Sequence, residues 1–98
     1  MFVHSVYFWL REDLSEFDVQ RFKQGLSSLT SIKGVKNGFV GAPAPTYRPV
    51  IDRSYSYALI LTFENQHAHD HYQQDDVHER FRRDCSSLLS KVLIFDCV

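Results

Sequence analysis

Cysteine is nearly absent: Cys85 and Cys97 are the chain's only two. They form no CxxC pair, so neither a disulfide framework nor a zinc ribbon has its ligands. An excess of one charge is also missing, since eleven basic and twelve acidic side chains leave a net −1. That removes the positive field a general nucleic-acid binder needs. No apolar run approaches the ~20 residues that cross a bilayer. The N-terminus has neither a basic n-region nor a small-residue cleavage site. These absences predict a cytoplasmic protein with no nucleic-acid or membrane partner. What the 98 residues do contain is apolar surface, 44% hydrophobic and 14% aromatic. That is enough for a single filled domain spanning residues 1–98.

The first apolar segment, FVHSVYFWL from Phe2 to Leu10, is greasy on both alternating faces and reads as a strand covered on both sides. Ser15 with Asp18 three residues later marks a helix start, and Leu14 and Val19 are placed as a hydrophobic staple. Val19, Phe22, Leu26 and Leu29 carry the helical stripe, and Gly34 reads as its left-handed cap. A weaker strand is predicted at Val35 to Gly41, where Gly38 points to a bulge or a close backbone approach. Three prolines between Ala42 and Pro49 make a loop reaching about Ser54. YSYALILTF, Tyr55 to Phe63, is the third strand, and VLIFDCV, Val92 to Val98, is the fourth. Between them Asn65 caps a short polar helix through Tyr72. Asp76 with Glu79 opens a second helix whose stripe is Val77, Phe81, Cys85 and Leu88.

Strand, helix, strand, strand, helix, strand predicts an α+β split βαβ sandwich: a four-stranded antiparallel sheet with its helices on one face. The opposite face should then be wet, and its strands should alternate apolar with polar. Val3, Tyr7, Trp9, Ala58, Ile60 and part of the last strand instead make an apolar patch too large for a soluble monomer. Pairing of two such sheets back to back, as a homodimer, resolves the conflict.

VHSVYFWL before a capped helix, IKGVKNGFVG, YSYALILTFENQHAHDHYQQDDVHERF and the terminal VLIFDCV together resemble the stress-responsive A/B barrel (Dabb) family. The most specific parts are His4 in the first strand, the spacing of Tyr72 and His78 with Phe81 following, and Asp96 in the last strand. The resemblance implies ferredoxin-like protomers that dimerise into an α+β barrel. It also implies a cavity between sheet and helices. More distantly the chain resembles the plant olivetolic acid cyclase, and by that likeness His78 is the general base of a ring closure while Tyr72 and His4 hold an enolate or carbonyl oxygen. Val6, Phe8, Phe22, Leu26, Tyr57 and Leu59 would be the apolar, ligand-binding walls. The chain departs from the family's His-Pro-x-His at Asp75-Asp76-Val77-His78. It also carries Tyr57 where the cyclase has a third-strand histidine, so the cyclase reaction itself is not carried over.

Each of these residues has a plainer reading. His4 can be a core histidine satisfied by a hydroxyl or a carbonyl. Asp75 and His78 with His4 make a thin two-histidine, one-carboxylate metal set, but Asp75 serves equally as a helix cap, and no metal or cofactor is expected. His67, His69 and His71 read as a solvated face. Arg80, Arg82 and Arg83 read as surface, and Cys85 reads as core. Arg48 and Arg53 lie in a loop suited to a lid. Three functions follow: a homodimer binding a small apolar or aromatic molecule, a cofactor-independent polyketide cyclase-like enzyme, or a purely structural stress protein.

Overall fold

The computed structural model describes residues 1–98. Strand β1 is Phe2–Leu10 and helix α1 is Glu16–Leu29. Strands β2 (Asn37–Gly41) and β3 (Tyr57–Phe63) follow, then helices α2 (Gln66–Gln73) and α3 (Asp76–Cys85). A 3-10 turn at Ser86–Leu88 leads into β4 (Leu89–Cys97). The sheet order is β2-β3-β1-β4, with every pair antiparallel. This is the expected split βαβ sandwich, its second helical segment divided into the two short helices that the Asn65 and Asp76 signals predict.

Register decides which side chains share a face, because successive residues of a strand point to opposite sides. His4, Val6 and Phe8 pair with Leu61, Leu59 and Tyr57 on one side and with Asp96, Ile94 and Val92 on the other. This set faces the helices: Phe8 meets Phe22 of α1 and Phe81 of α3 at ring distances of 5.3 and 6.0 Å. Phe22, Leu26, Leu29, Leu59, Leu61 and Phe63 form its driest part. The opposite face carries Val3, Tyr7, Trp9, Ile60, Leu93, Phe95 and Phe39 with no helix over it. Phe95 is 58% and Phe39 63% exposed.

The caps explain most of the element ends. The Asp18 amide donates to Ser15 Oγ at 3.1 Å, and the Ala68 amide to Asn65 Oδ1 at 3.0 Å. For α3 the cap is Asp75, not Asp76. Asp75 keeps extended backbone and accepts from the Val77 amide at 2.8 Å, so Asp76 is already helical. Helix α1 likewise stops before Gly34. Thr30 ends it, its hydroxyl donating to the Ser27 carbonyl at 2.7 Å. Gly34, at φ +98°, instead turns the chain toward β2, a conformation a side chain would strain. Gly38 is the close approach its position implied: a Cβ there would lie 2.8 Å from Thr30 Cβ.

Strand bounds shift for equally local reasons. β2 starts at Asn37, since the Val35 amide is spent on the Ile32 carbonyl in the turn. β3 starts at Tyr57, because just before it Ser56 Oγ accepts from the Leu10 amide and takes a ladder position. β4 starts three residues earlier than Val92, directly after the 3-10 turn.

Candidate functional site

Helix α1 covers the β3 side of the sheet, while nothing equivalent lies over β4. Val92 and Ile94 point to the helix side yet remain 43% and 50% exposed. The gap between them and α3 is a cavity of about 230 Å³. Strand β1 floors it with His4, Val6 and Phe8, and β4 walls it with Val92 and Ile94. Helix α3 supplies His78, Phe81 and Arg82, and Gln73 ends α2 at its rim. Its lining contains no aspartate or glutamate.

The break between α2 and α3 aims His78 inward. The Asp75 amide closes on the Tyr72 carbonyl at 3.2 Å while the Asp75 carboxylate restarts the helix. His78 is only 8% exposed, and its Nδ1 is buried with no hydrogen-bond partner. A buried polar atom left in that state costs about 1–3 kcal/mol. Burial, followed by the charge of Arg82 and the neighbouring His4, lowers its pKa to about 4 against a smaller opposing effect of Glu79. The ring is therefore neutral at pH 7.

His4 is held differently. It faces Asp96 in register across β1 and β4, and Nδ1 lies 2.5 Å from Asp96 Oδ1. Burial still holds its pKa below the ordinary imidazole value, outweighing Asp96, and His69 adds to the lowering. In the neutral ring this pairing places the proton on Nδ1, donated to the carboxylate, and leaves Nε2 as an acceptor. Tyr72 lies behind both histidines, its ring 5.9 Å from His4 and 4.8 Å from His78. It is buried and is not part of the cavity lining. Burial pushes its hydroxyl pKa well up despite Arg82, so it is a proton-bearing donor.

The structure thus gathers His4, Tyr72 and His78, and brings Val6 and Phe8 to the cavity wall. It does not bring Phe22, Leu26, Leu59 or Tyr57. The first three sit in the dry core, and Tyr57 packs between Phe22 and the Lys23 ammonium. All four belong to the α1–β3 side, whereas the cavity is on the β4 side. The sequence reading missed Gln73, Phe81, Arg82, Ser86, Leu89, Val92 and Ile94, and also Leu29, the one residue of α1 that reaches the cavity. Arg82 had a signal in its position four residues after His78, which places both on one helix face.

His69 also departs from expectation. It is not on the solvated face but buried, stacked on Phe2 at 4.5 Å and 4.8 Å from the His4 ring. His67 and His71 do stay outside, their rings 4.6 Å apart. The donor set that could take a divalent ion is therefore His4, His69 and Asp96, with ligand atoms within 4.8 Å of one another. Asp75, spent as a cap, is not part of it. An ion there would have to replace the His4–Asp96 bond and compete with Asp70 and Gln73, which occupy the two His69 nitrogens at 3.0 and 3.2 Å.

A family model described as the stress responsive A/B barrel domain matches residues 2–98. The chain belongs to that family. No curated protein matches it. A Dabb family protein with a ferredoxin-like fold from Mesorhizobium loti superposes with a TM-score of 0.78 at 26% identity, covering 99% of this chain and 94% of that one. A dimeric ferredoxin-like protein of unknown function from Thermobifida fusca gives 0.80 at 17% identity, over 99% and 89%. The hydroxynitrile lyase of Passiflora edulis gives 0.79 at 15% identity, over 98% and 90%. The Dabb chain thus has the ferredoxin-like fold, and none of its helices is long and apolar enough to cross a membrane.

Proposed function

We propose that this Dabb protein is a homodimer, paired through its uncovered sheet face, in which each protomer holds one small apolar or aromatic molecule in the β4-side cavity. The observation that carries the reading is the cavity itself, mostly apolar and lined by the buried His4 and His78 rings. A dry cavity of about 150 Å³ holds benzene. About 230 Å³ therefore admits a substituted ring. The exposed Phe39, Leu93 and Phe95 support the pairing, as does the dimeric state of the Thermobifida fusca protein.

The test is titration of isotope-labelled protein with single-ring phenols, anilides and ketones. Saturable shifts of Val6, Ile94 and His78 resonances are expected, and His78→Leu should abolish the preference for ligands that hydrogen-bond. Silence at millimolar ligand would end the reading. For assembly, sedimentation should give a dimer that Phe95→Lys converts to monomer. A monomeric parent protein would refute pairing.

A second reading, cofactor-free acid–base catalysis, is favoured by the His4–Asp96 pair. A general base works best with a pKa near the operating pH, and His78, lowered to about 4, is poorly matched. His4, oriented by a carboxylate, is the better base, leaving His78 to hold an oxygen while Tyr72 packs behind both rings. The hydroxynitrile lyase shows a lyase on this fold. If a β-polyketo, aromatic or cyanohydrin substrate is turned over, loss of His4 should lower kcat more than loss of His78. The reverse order would return the base role to His78.

A further inference from the structure

Arg82 is the one cationic side chain in the cavity lining. Four residues after His78, it shares that face of α3 and stands where the cavity meets solvent, its side chain 50% exposed. One guanidinium nitrogen donates to Gln73 Oε1 at 2.7 Å. Another lies 3.6 Å from Glu79 Oε1, too far for a hydrogen bond, and the Glu79 side chain is itself 62% exposed. Such a pair is worth little. A guanidinium has five N–H donors in a rigid fork that matches a carboxylate, and most of them are unspent here.

The interior beyond is apolar apart from His4, His78 and a few rim groups. Asp96 hydrogen-bonds His4 from outside the lining. Both histidines are held below their usual pKa, leaving Arg82 as the one charged side chain of the lining at neutral pH.

We infer that the molecule taken up is a monocarboxylate with a one-ring or short-chain body, its carboxylate on the Arg82 fork and its body between Phe8 and Ile94. This rests on the cavity reading above and specifies the class of ligand. Ligands with several phosphates fit less well, since Arg82 has no second cation beside it in the lining.

Phenylacetate and its neutral isostere phenylacetamide are the probes, followed by amide and side-chain resonances of the full chain at low salt. Phenylacetate should bind about ten-fold or more tightly than the amide, the scale of one charge-assisted hydrogen bond. Arg82→Gln should erase that preference while leaving the amide's Kd within about two-fold. Glu79→Gln should tighten phenylacetate several-fold without moving the amide, because it removes the carboxylate competing for Arg82. Added salt should weaken phenylacetate alone.

Equal affinities for the two probes in the parent protein, or an equal loss of both in Arg82→Gln, would overturn the inference and leave the cavity reading standing. If neither probe shifts Ile94 or His78, both fall. Arg82 is half in water, so Arg82→Gln should fold, and the Glu79→Gln gain tests the idea without disturbing the guanidinium.

Discussion

The two sides of the helix-covered face use nearly the same residues to opposite ends. On β3, Leu59 and Leu61 are sealed on the α1 side, and Phe63 is sealed by His69 and Tyr72 of α2. On β4, Val92 and Ile94 stand in the same layer and stay open. The strands differ little in composition, LILTF against VLIF. What differs is the lid. Helix α1 is one unbroken run of 14 residues, with Phe22, Leu26 and Leu29 at core spacing. The opposing cover is two short helices bent at Gln74–Asp75, and its buried positions include His69, Tyr72 and His78. A straight apolar stripe makes a core, whereas a bent one studded with imidazoles leaves a chamber.

Matched truncations should separate the two sides. Leu26→Ala, in the sealed half, should cost about 3 kcal/mol by urea denaturation, in the range for a fully buried leucine. Ile94→Ala, at the open wall, should cost about 1 kcal/mol or less, since water or a ligand already occupies the space beside it. Comparable losses would mean that the dimer or some other cover seals the β4 side as tightly as α1 seals β3.

Acid should distinguish the sides next. An imidazole whose folded pKa lies below its unfolded value of 6.5 resists a proton that the unfolded chain accepts. Its contribution is complete above pH 6.5, is lost as pH falls toward the folded value, and is flat below it. For His78 the window is from 6.5 down to about 4, and the loss is on the order of 3 kcal/mol. His4, also lowered, adds in the same direction. His78→Leu should flatten its share of this slope. It should also raise stability at pH 7 by about 1 kcal/mol, because it removes an unpartnered buried nitrogen. A destabilised His78→Leu with an unchanged pH profile would show that Nδ1 has a partner.

The chain spells out the sealed half far better than the open one. The alternation in β1, the Ser15 and Asn65 caps and the Phe22–Leu26–Leu29 stripe are local patterns, and local patterns dictate local structure. His4, Tyr72 and His78 were found because resemblance singled them out. Pairing His4 with Asp96 needs the β1–β4 register, which joins residues 92 apart. Burial of His69 depends on how α2 rolls against Phe2. Phe22, Leu26 and Leu59 looked like walls because an apolar residue reads the same whether it faces a void or a neighbour. Which of the two it meets is decided by where α1 lands.

Gly25 offers the smallest test and sits where the two sides touch. It belongs to α1, and a Cβ added there would lie 3.0 Å from Phe81 Cδ1 and 3.1 Å from Cys85 Sγ, both on α3. In a free helix Gly25→Ala would gain about 1 kcal/mol of propensity. Here α3 must retreat or Phe81 must rotate, and crowding of this kind typically costs 1–3 kcal/mol. The net expectation is a loss of about 1 kcal/mol in denaturant midpoint stability. Phe81 lines the cavity as well as the α1–α3 contact, so the same methyl should weaken ligand binding several-fold from a position outside the lining. A variant that gains stability and keeps its affinity would mean that the α1–α3 contact is looser than these distances allow, and that the core does not hold the chamber wall in place.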